Sequence, residues 1–171
     1  MVVSHRARSL RCILSGKVVS LGLLQGARWE SRCGYAVLPP KSSALKRYLA
    51  ERIRRFSPKL SELLFPCTAV MTSPADGVVT ERGEGTLTLR TGDGVYVTVV
   101  LGKGITPIAD TGDRVRCSTV ICRTTVQALQ ANGHDGAVAV FFPEPSQITE
   151  LHIFSGSRRA HHRTAFYRVH R

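Results

Sequence analysis

PADGVVTERGEGTLTLRTGDGVYVTVVLGKGITPIADTGDRVRCSTVICR, Pro74 to Arg123, is β-sequence punctuated by glycine. Its strand-like runs, Gly77 to Thr80, Thr86 to Arg90, Val95 to Leu101 and Thr119 to Ile121, are separated by Asp-Gly, Gly-Glu-Gly, Thr-Gly-Asp-Gly and Thr-Gly-Asp turn signals. Strands this short, joined by turns this tight, pair with their sequence neighbours. The expected class is therefore all-β, an antiparallel flattened barrel or sandwich.

Outside this span the β-rhythm continues in fragments. Cys12 to Leu23 reads as two short strands around Ser15-Gly16, and Gly34 to Leu38 as another, closed by Pro39-Pro40. Residues 42 to 66 interrupt it. Leu45, Tyr48, Leu49, Ile53 and Phe56 recur every three or four positions, the period of an amphipathic helix, with Lys46, Arg47, Arg54 and Arg55 on its other side. Ser57 and Pro58 suit the cap and first position of a second helical turn holding Leu60, Leu63 and Leu64. The expected packing lays the apolar stripe over an open side of the barrel; a basic amphipathic helix can also lie on an anionic membrane or dock on a partner. Beyond the core, Val126 to Asn132 reads as a short helix, Gly136 to Phe142 as a strand and Gln147 to Phe154 as a short helix or turn. A basic tail follows at 158 to 171, with a last apolar stretch from Ala165 to Val169. One domain of 171 residues is expected, with apolar residues (43%) sufficient for a core without metals or disulfides.

Charge is unevenly placed. Residues 1 to 60 hold 13 Lys or Arg against 2 acids, residues 61 to 150 hold 6 against 10, and residues 151 to 171 hold 5 against none. A mildly acidic middle flanked by basic ends favours acidic partners, whether a protein face, RNA or anionic lipid. Lys46, Arg47, Arg54, Arg55, Arg158 and Arg159 form the candidate partner surface. No zinc-finger, helix-turn-helix or RNA-binding aromatic motif accompanies them. The five cysteines, at 12, 33, 67, 117 and 122, form no CxxC pair. Reduced, mostly buried thiols and a cytoplasmic setting, peripheral to the membrane if the helix binds lipid, follow as the expectation.

Residues able to carry chemistry are few. Of the six histidines, His134 falls in the turn Asn-Gly-His-Asp-Gly, while the adjacent His161 and His162 cannot alone converge on a metal. No metal site and no cofactor is expected. Asp76, Asp93, Asp110 and Asp113 stand in turns, where carboxylates accept from backbone amides, so structural roles are read for them. Gly102-Lys103-Gly104 is too short for a phosphate loop.

In order along the chain, several segments resemble the glucose-specific enzyme IIA domain of the bacterial sugar phosphotransferase system. Leu14-Ser15-Gly16-Lys17-Val18-Val19 is similar to that family's opening strand pair, Cys33 to Pro39 to a following hydrophobic segment, and Ser73-Pro74-Ala75-Asp76-Gly77 to its Ala-Pro-Val-Asp-Gly. Gly94 to Gly102 is similar to its Asp-Gly-Val-Glu-Leu-Phe-Val-His-Phe-Gly strand, followed by Gly112-Asp113-Arg114-Val115 and, near the end, Ile153 to Ser157. The resemblance implies the duplicated hybrid motif, in which one histidine takes phosphate from a phosphocarrier protein and passes it to a sugar permease while a second histidine supports it. The first falls on Val100 and the second near Gly85, neither able to accept or stabilise a phosphoryl group. A IIA-like protein related to sugar transport is thus implied, unable to transfer phosphate and acting by protein binding or regulation, with phosphotransferase proteins or a sugar transporter as partners. The alternative is a basic module for RNA or anionic membrane. A third reading rests on Ser73 to Gly77, which also looks like a segment of phosphatidylserine decarboxylase precursors, though only Phe154-Ser155-Gly156-Ser157 faintly echoes their self-cleaving site.

Overall fold

In the computed structural model, residues 7–21, 33–39, 44–64, 68–132 and 136–169 are described. The span quoted above forms β5 (Gly77–Gly83), β6 (Thr86–Thr91), β7 (Tyr96–Val100), β8 (Arg114–Val115) and β9 (Val120–Thr125). β6 and β7 make a hairpin in which Thr88 faces Thr98 and Leu89 faces Val97. The turn is closed by the Gly94 amide donating to the Thr91 carbonyl at 2.9 Å, with Gly94 at φ 79°, a left-handed conformation that glycine takes without cost. Alternation does the sorting: Leu87, Leu89, Val97 and Val99 are buried in the core, and Thr86, Thr88, Thr98 and Val100 point the other way, into a surface groove.

These strands belong to an eight-stranded antiparallel sheet. Its order is β12 (Gly156–Arg158), β2 (Gly16–Ser20), β3 (Cys33–Leu38), β10 (Val138–Phe142), β7, β6, β5, β8. The centre, β3 against β10, is buried on both faces: Tyr35, Val37, Val138, Val140 and Phe142 enter the main core, while Ala36, Ala139 and Phe141 join Leu21 in a second cluster behind it. A three-stranded sheet, β1 (Arg8–Arg11), β13 (Arg163–Val169) and β11 (Ile148–Ile153), contributes to the main core. The Phe142 and Tyr167 rings join the two sheets edge to face with centroids 5.2 Å apart. β4 (Thr68–Thr72) pairs with β9 in a third, two-stranded sheet, and α3 (Val126–Gln130) follows with its Ala128 amide held by the Thr125 hydroxyl at 3.0 Å.

Four expectations change. Among the described residues the pairing is antiparallel throughout, as the turn pattern implied, but no sheet closes into a barrel: β12 and β8 are opposite edges of the largest sheet. Gln147 to Phe154 is not a helix or turn; after one 3-10 turn at Pro145–Gln147 the chain runs as β11, whose Leu151 and Ile153 alternate with exposed Glu150 and His152. The segment read as a basic tail, 158 to 171, supplies the last residue of β12 and the whole central strand β13, with Ala165 and Tyr167 in the core.

The fourth change concerns the insertion. Helix α1 (Ala44–Phe56) and helix α2 (Pro58–Leu64) form where the period predicts them, and Ser57 caps α2 through its hydroxyl, which accepts from the Leu60 amide at 3.3 Å. The stripe does not cover the sheet. α1 packs chiefly on α2, where the buried Ser61 hydroxyl donates to the Ala50 carbonyl at 2.9 Å, and Leu45, Tyr48, Leu49 and Phe56 stay exposed.

Burial leaves a mark on acid–base behaviour. Desolvation pushes the Tyr35 phenol well above its ordinary range and raises Tyr167 and the thiols of Cys12, Cys33, Cys117 and Cys122. Raised folded-state values mean that this stability is complete below the unfolded-state values, about pH 8.5 for thiols and 10 for tyrosine, and drains away as pH climbs through the folded ones. The urea midpoint should therefore hold steady from neutrality to about pH 8 and fall progressively above it. Tyr35→Phe should flatten the steepest part of that fall; an unchanged alkaline slope in this variant would show that the buried phenol is not its source.

Candidate functional site

The outward residues of the central strands build one groove of ≈ 560 Å³. β5 supplies Thr80 and Glu81, β6 Thr86 and Thr88, β7 Tyr96, Thr98 and Val100, β10 Phe141, and the loop after it Pro143 and Glu144. Because these side chains project from paired strands, cross-strand register sets their spacing: Thr86 lies opposite Val100 and Thr88 opposite Thr98, the latter two hydroxyls 2.9 Å apart. Val100 is half-buried at the apolar end, packed against the cluster of Leu21, Ala36, Ala139 and Phe141. Among the described residues the lining also carries the carboxylates of Glu81 and Glu144 and no Lys, Arg or His. The two carboxylates repel a phosphoryl group, and the described lining offsets them with neutral hydroxyl donors alone.

Gly85, near which the resemblance places the second histidine, leaves no room for a side chain. It stands in a left-handed conformation, φ 71°, in the turn between β5 and β6, and its carbonyl accepts from the Leu101 amide at 2.7 Å. A Cβ added there would lie 2.0 Å from the Gly102 carbonyl oxygen. The backbone of the segment after β7 thus occupies the direction in which a side chain at 85 would project. This is a feature that sequence matching at 85 and 100 did not reveal; the Gly-rich composition of 83 to 85 and 102 to 104 is the only signal that two backbones might approach so closely.

The other chemistry-bearing residues do not converge on the groove. Asp76 accepts from the Cys117 amide at 2.9 Å, Asp113 from the Asp110 amide at 2.8 Å, Asp93 pairs with Arg8 at 2.9 Å, and Asp110 pairs with Arg82. His152 stacks on Phe166 with ring centroids 5.1 Å apart, and His161 and His162 are exposed in the turn before β13. His134 lies outside the described residues. Among the described residues no three His, Cys, Asp or Glu side chains group as metal ligands, and no helix is long and apolar enough to cross a membrane.

The basic candidates divide between elements. Lys46, Arg47, Arg54 and Arg55 are exposed on α1, with Arg55 4.0 Å from Glu51. Arg158 ends β12, which pairs with β2, and Arg159 is exposed just beyond it. Ser157 pairs with Lys17 inside that short ladder, so within Phe154-Ser155-Gly156-Ser157 the first two residues link β11 to β12 and the last two begin β12.

No protein-family model and no curated protein matches the sequence. Among solved structures, the glucose permease IIA from Mycoplasma capricolum superposes with a TM-score of 0.68 over 97% of this chain and 99% of its own, at 11% identity. A candidate glycyl-glycine endopeptidase, lytM, from Ruminococcus gnavus ATCC 29149 matches at a TM-score of 0.41 and 14% identity, over 78% of this chain and 51% of its own. The first likeness is one of fold: three antiparallel sheets with an inserted helix, arranged as in a IIA-glucose domain.

Proposed function

We propose that this chain is a IIA-like protein related to sugar transport that acts by binding a partner and carries no phosphoryl group. The fold likeness to a glucose permease IIA over nearly the whole length supports the first half of the reading. The second half rests on one observation: the position matching the phosphorylated histidine is Val100, in a groove whose lining, among the described residues, holds two carboxylates and no cation. A domain that never changes charge state presents one constant surface, so it signals by its presence and concentration alone. Its partner class is a protein of the phosphotransferase network or a sugar transporter.

Incubation with phosphoenolpyruvate, enzyme I and the histidine phosphocarrier should leave the chain unlabelled, while calorimetric titration against purified phosphocarrier or sugar-permease domain should give a saturable isotherm. Acid-labile phosphate at one equivalent would overturn the loss of transfer. Flat titrations against every component would overturn the role in that network.

A further inference from the structure

We propose that the α1–α2 hairpin is a docking element that lies in the interface of an anionic lipid bilayer. Its apolar side chains are left in water: Phe56 is 94% exposed, Leu63 76% and Leu45 66%, and Tyr48, Leu49, Leu60 and Leu64 are also exposed. Contiguous apolar surface of this kind marks an interaction site, because water gains by its removal. Leu45, Leu49, Arg52 and Phe56 share one side of α1 by their i, i+4, i+7, i+11 spacing, with Tyr48 beside them.

Charge selects the occupant. The hairpin carries six cationic residues, Lys46, Arg47, Arg52, Arg54, Arg55 and Lys59, against Glu51 and Glu62. Arg52 stands within the apolar stripe, its guanidinium 5.5 Å from the centre of the Tyr48 ring and donating to the Tyr48 hydroxyl at 2.9 Å. An apolar protein groove would bury that cation with only a neutral phenol as partner. At a bilayer surface the same side chain reaches the headgroups while its stem, Leu45, Leu49 and Phe56 enter the acyl boundary, and tyrosine is at home at that depth. Arg55, exposed about a quarter-turn from the stripe, adds attraction to anionic headgroups, whereas Arg54 lies on the opposite side of α1. The reading does not depend on the groove or on phosphotransferase partners.

Cosedimentation of the full chain with vesicles of phosphatidylcholine containing phosphatidylglycerol, beside vesicles of phosphatidylcholine alone, tests it. Binding to the anionic vesicles should be tighter by about tenfold or more, because each surface cation contributes separately. Leu45→Ser with Phe56→Ser should weaken it by about tenfold or more, with the melting curve unchanged since both side chains already face water. Arg52→Glu with Arg55→Glu should abolish the preference for anionic lipid. No sedimentation with anionic vesicles would overturn the proposal, as would variants that bind like the parent. Binding of single-stranded RNA without binding of vesicles, or self-association through Phe56, would overturn it equally.

Discussion

Gly34→Ala should cost the protein about 3 to 5 kcal/mol, enough to take most of the stability of an ordinary domain. Gly34 lies opposite Phe141 at the centre of the large sheet, where β3 and β10 are buried on both faces. A Cβ built on it would stand 2.1 Å from the Val140 carbonyl oxygen and 2.6 Å from the Phe141 Cα. Both are backbone atoms of the neighbouring strand, so no rotamer change relieves the overlap; the strands must separate, and ladder hydrogen bonds with core packing are lost together. Thermal unfolding followed by circular dichroism should show the midpoint lowered by about 10 °C or more. Gly92→Ala supplies the contrast, since nothing lies within 4 Å of its Cβ and the position has no left-handed backbone; its stability should change by no more than about 0.5 kcal/mol. Equal midpoints for the two variants would refute the packing described for β3 and β10.

Replacing the two matched positions by histidine should give opposite outcomes. Val100→His places an imidazole at a half-buried, groove-facing site and should fold, at a cost of about 1 to 2 kcal/mol for lost apolar contact. Gly85→His combines a left-handed backbone with a Cβ 2.0 Å from the Gly102 carbonyl oxygen, and should destabilise by about 3 to 5 kcal/mol. A pair of facing imidazoles therefore cannot be installed by point substitution; the chain segments around 85 and 102 would have to move apart first. Denaturant midpoints of the two single variants decide this, and a Gly85→His protein as stable as its parent would mean that the turn is open to side chains.

Much of the β6–β7 hairpin was legible from residues 86 to 100 alone, because an Asp-Gly turn and alternating Leu-Thr and Val-Thr residues leave one register that buries the leucines and valines. Helix α1 was legible too, since its period is local. Those features depend on neighbours a few residues apart, whose geometry the chain dictates directly. The sheet of β1, β13 and β11 was not: Leu10 pairs with Ala165 across the whole length of the chain, and no short window of Ile148 to Ile153 distinguishes an edge strand from a turn. Nor could the pattern of α1 say what its stripe would meet, because amphipathicity fixes which side is apolar and leaves open whether a sheet, α2 or a bilayer lies against it. By itself the sequence determined the strands between Gly77 and Leu101 with their turns, the helical segment α1 and the absence of histidine at 85 and 100. Tertiary structure alone decided that the sheets stay open, that Phe56 remains in water, and that the Gly102 backbone fills the space beside Gly85, since each of these depends on chain segments meeting from a distance.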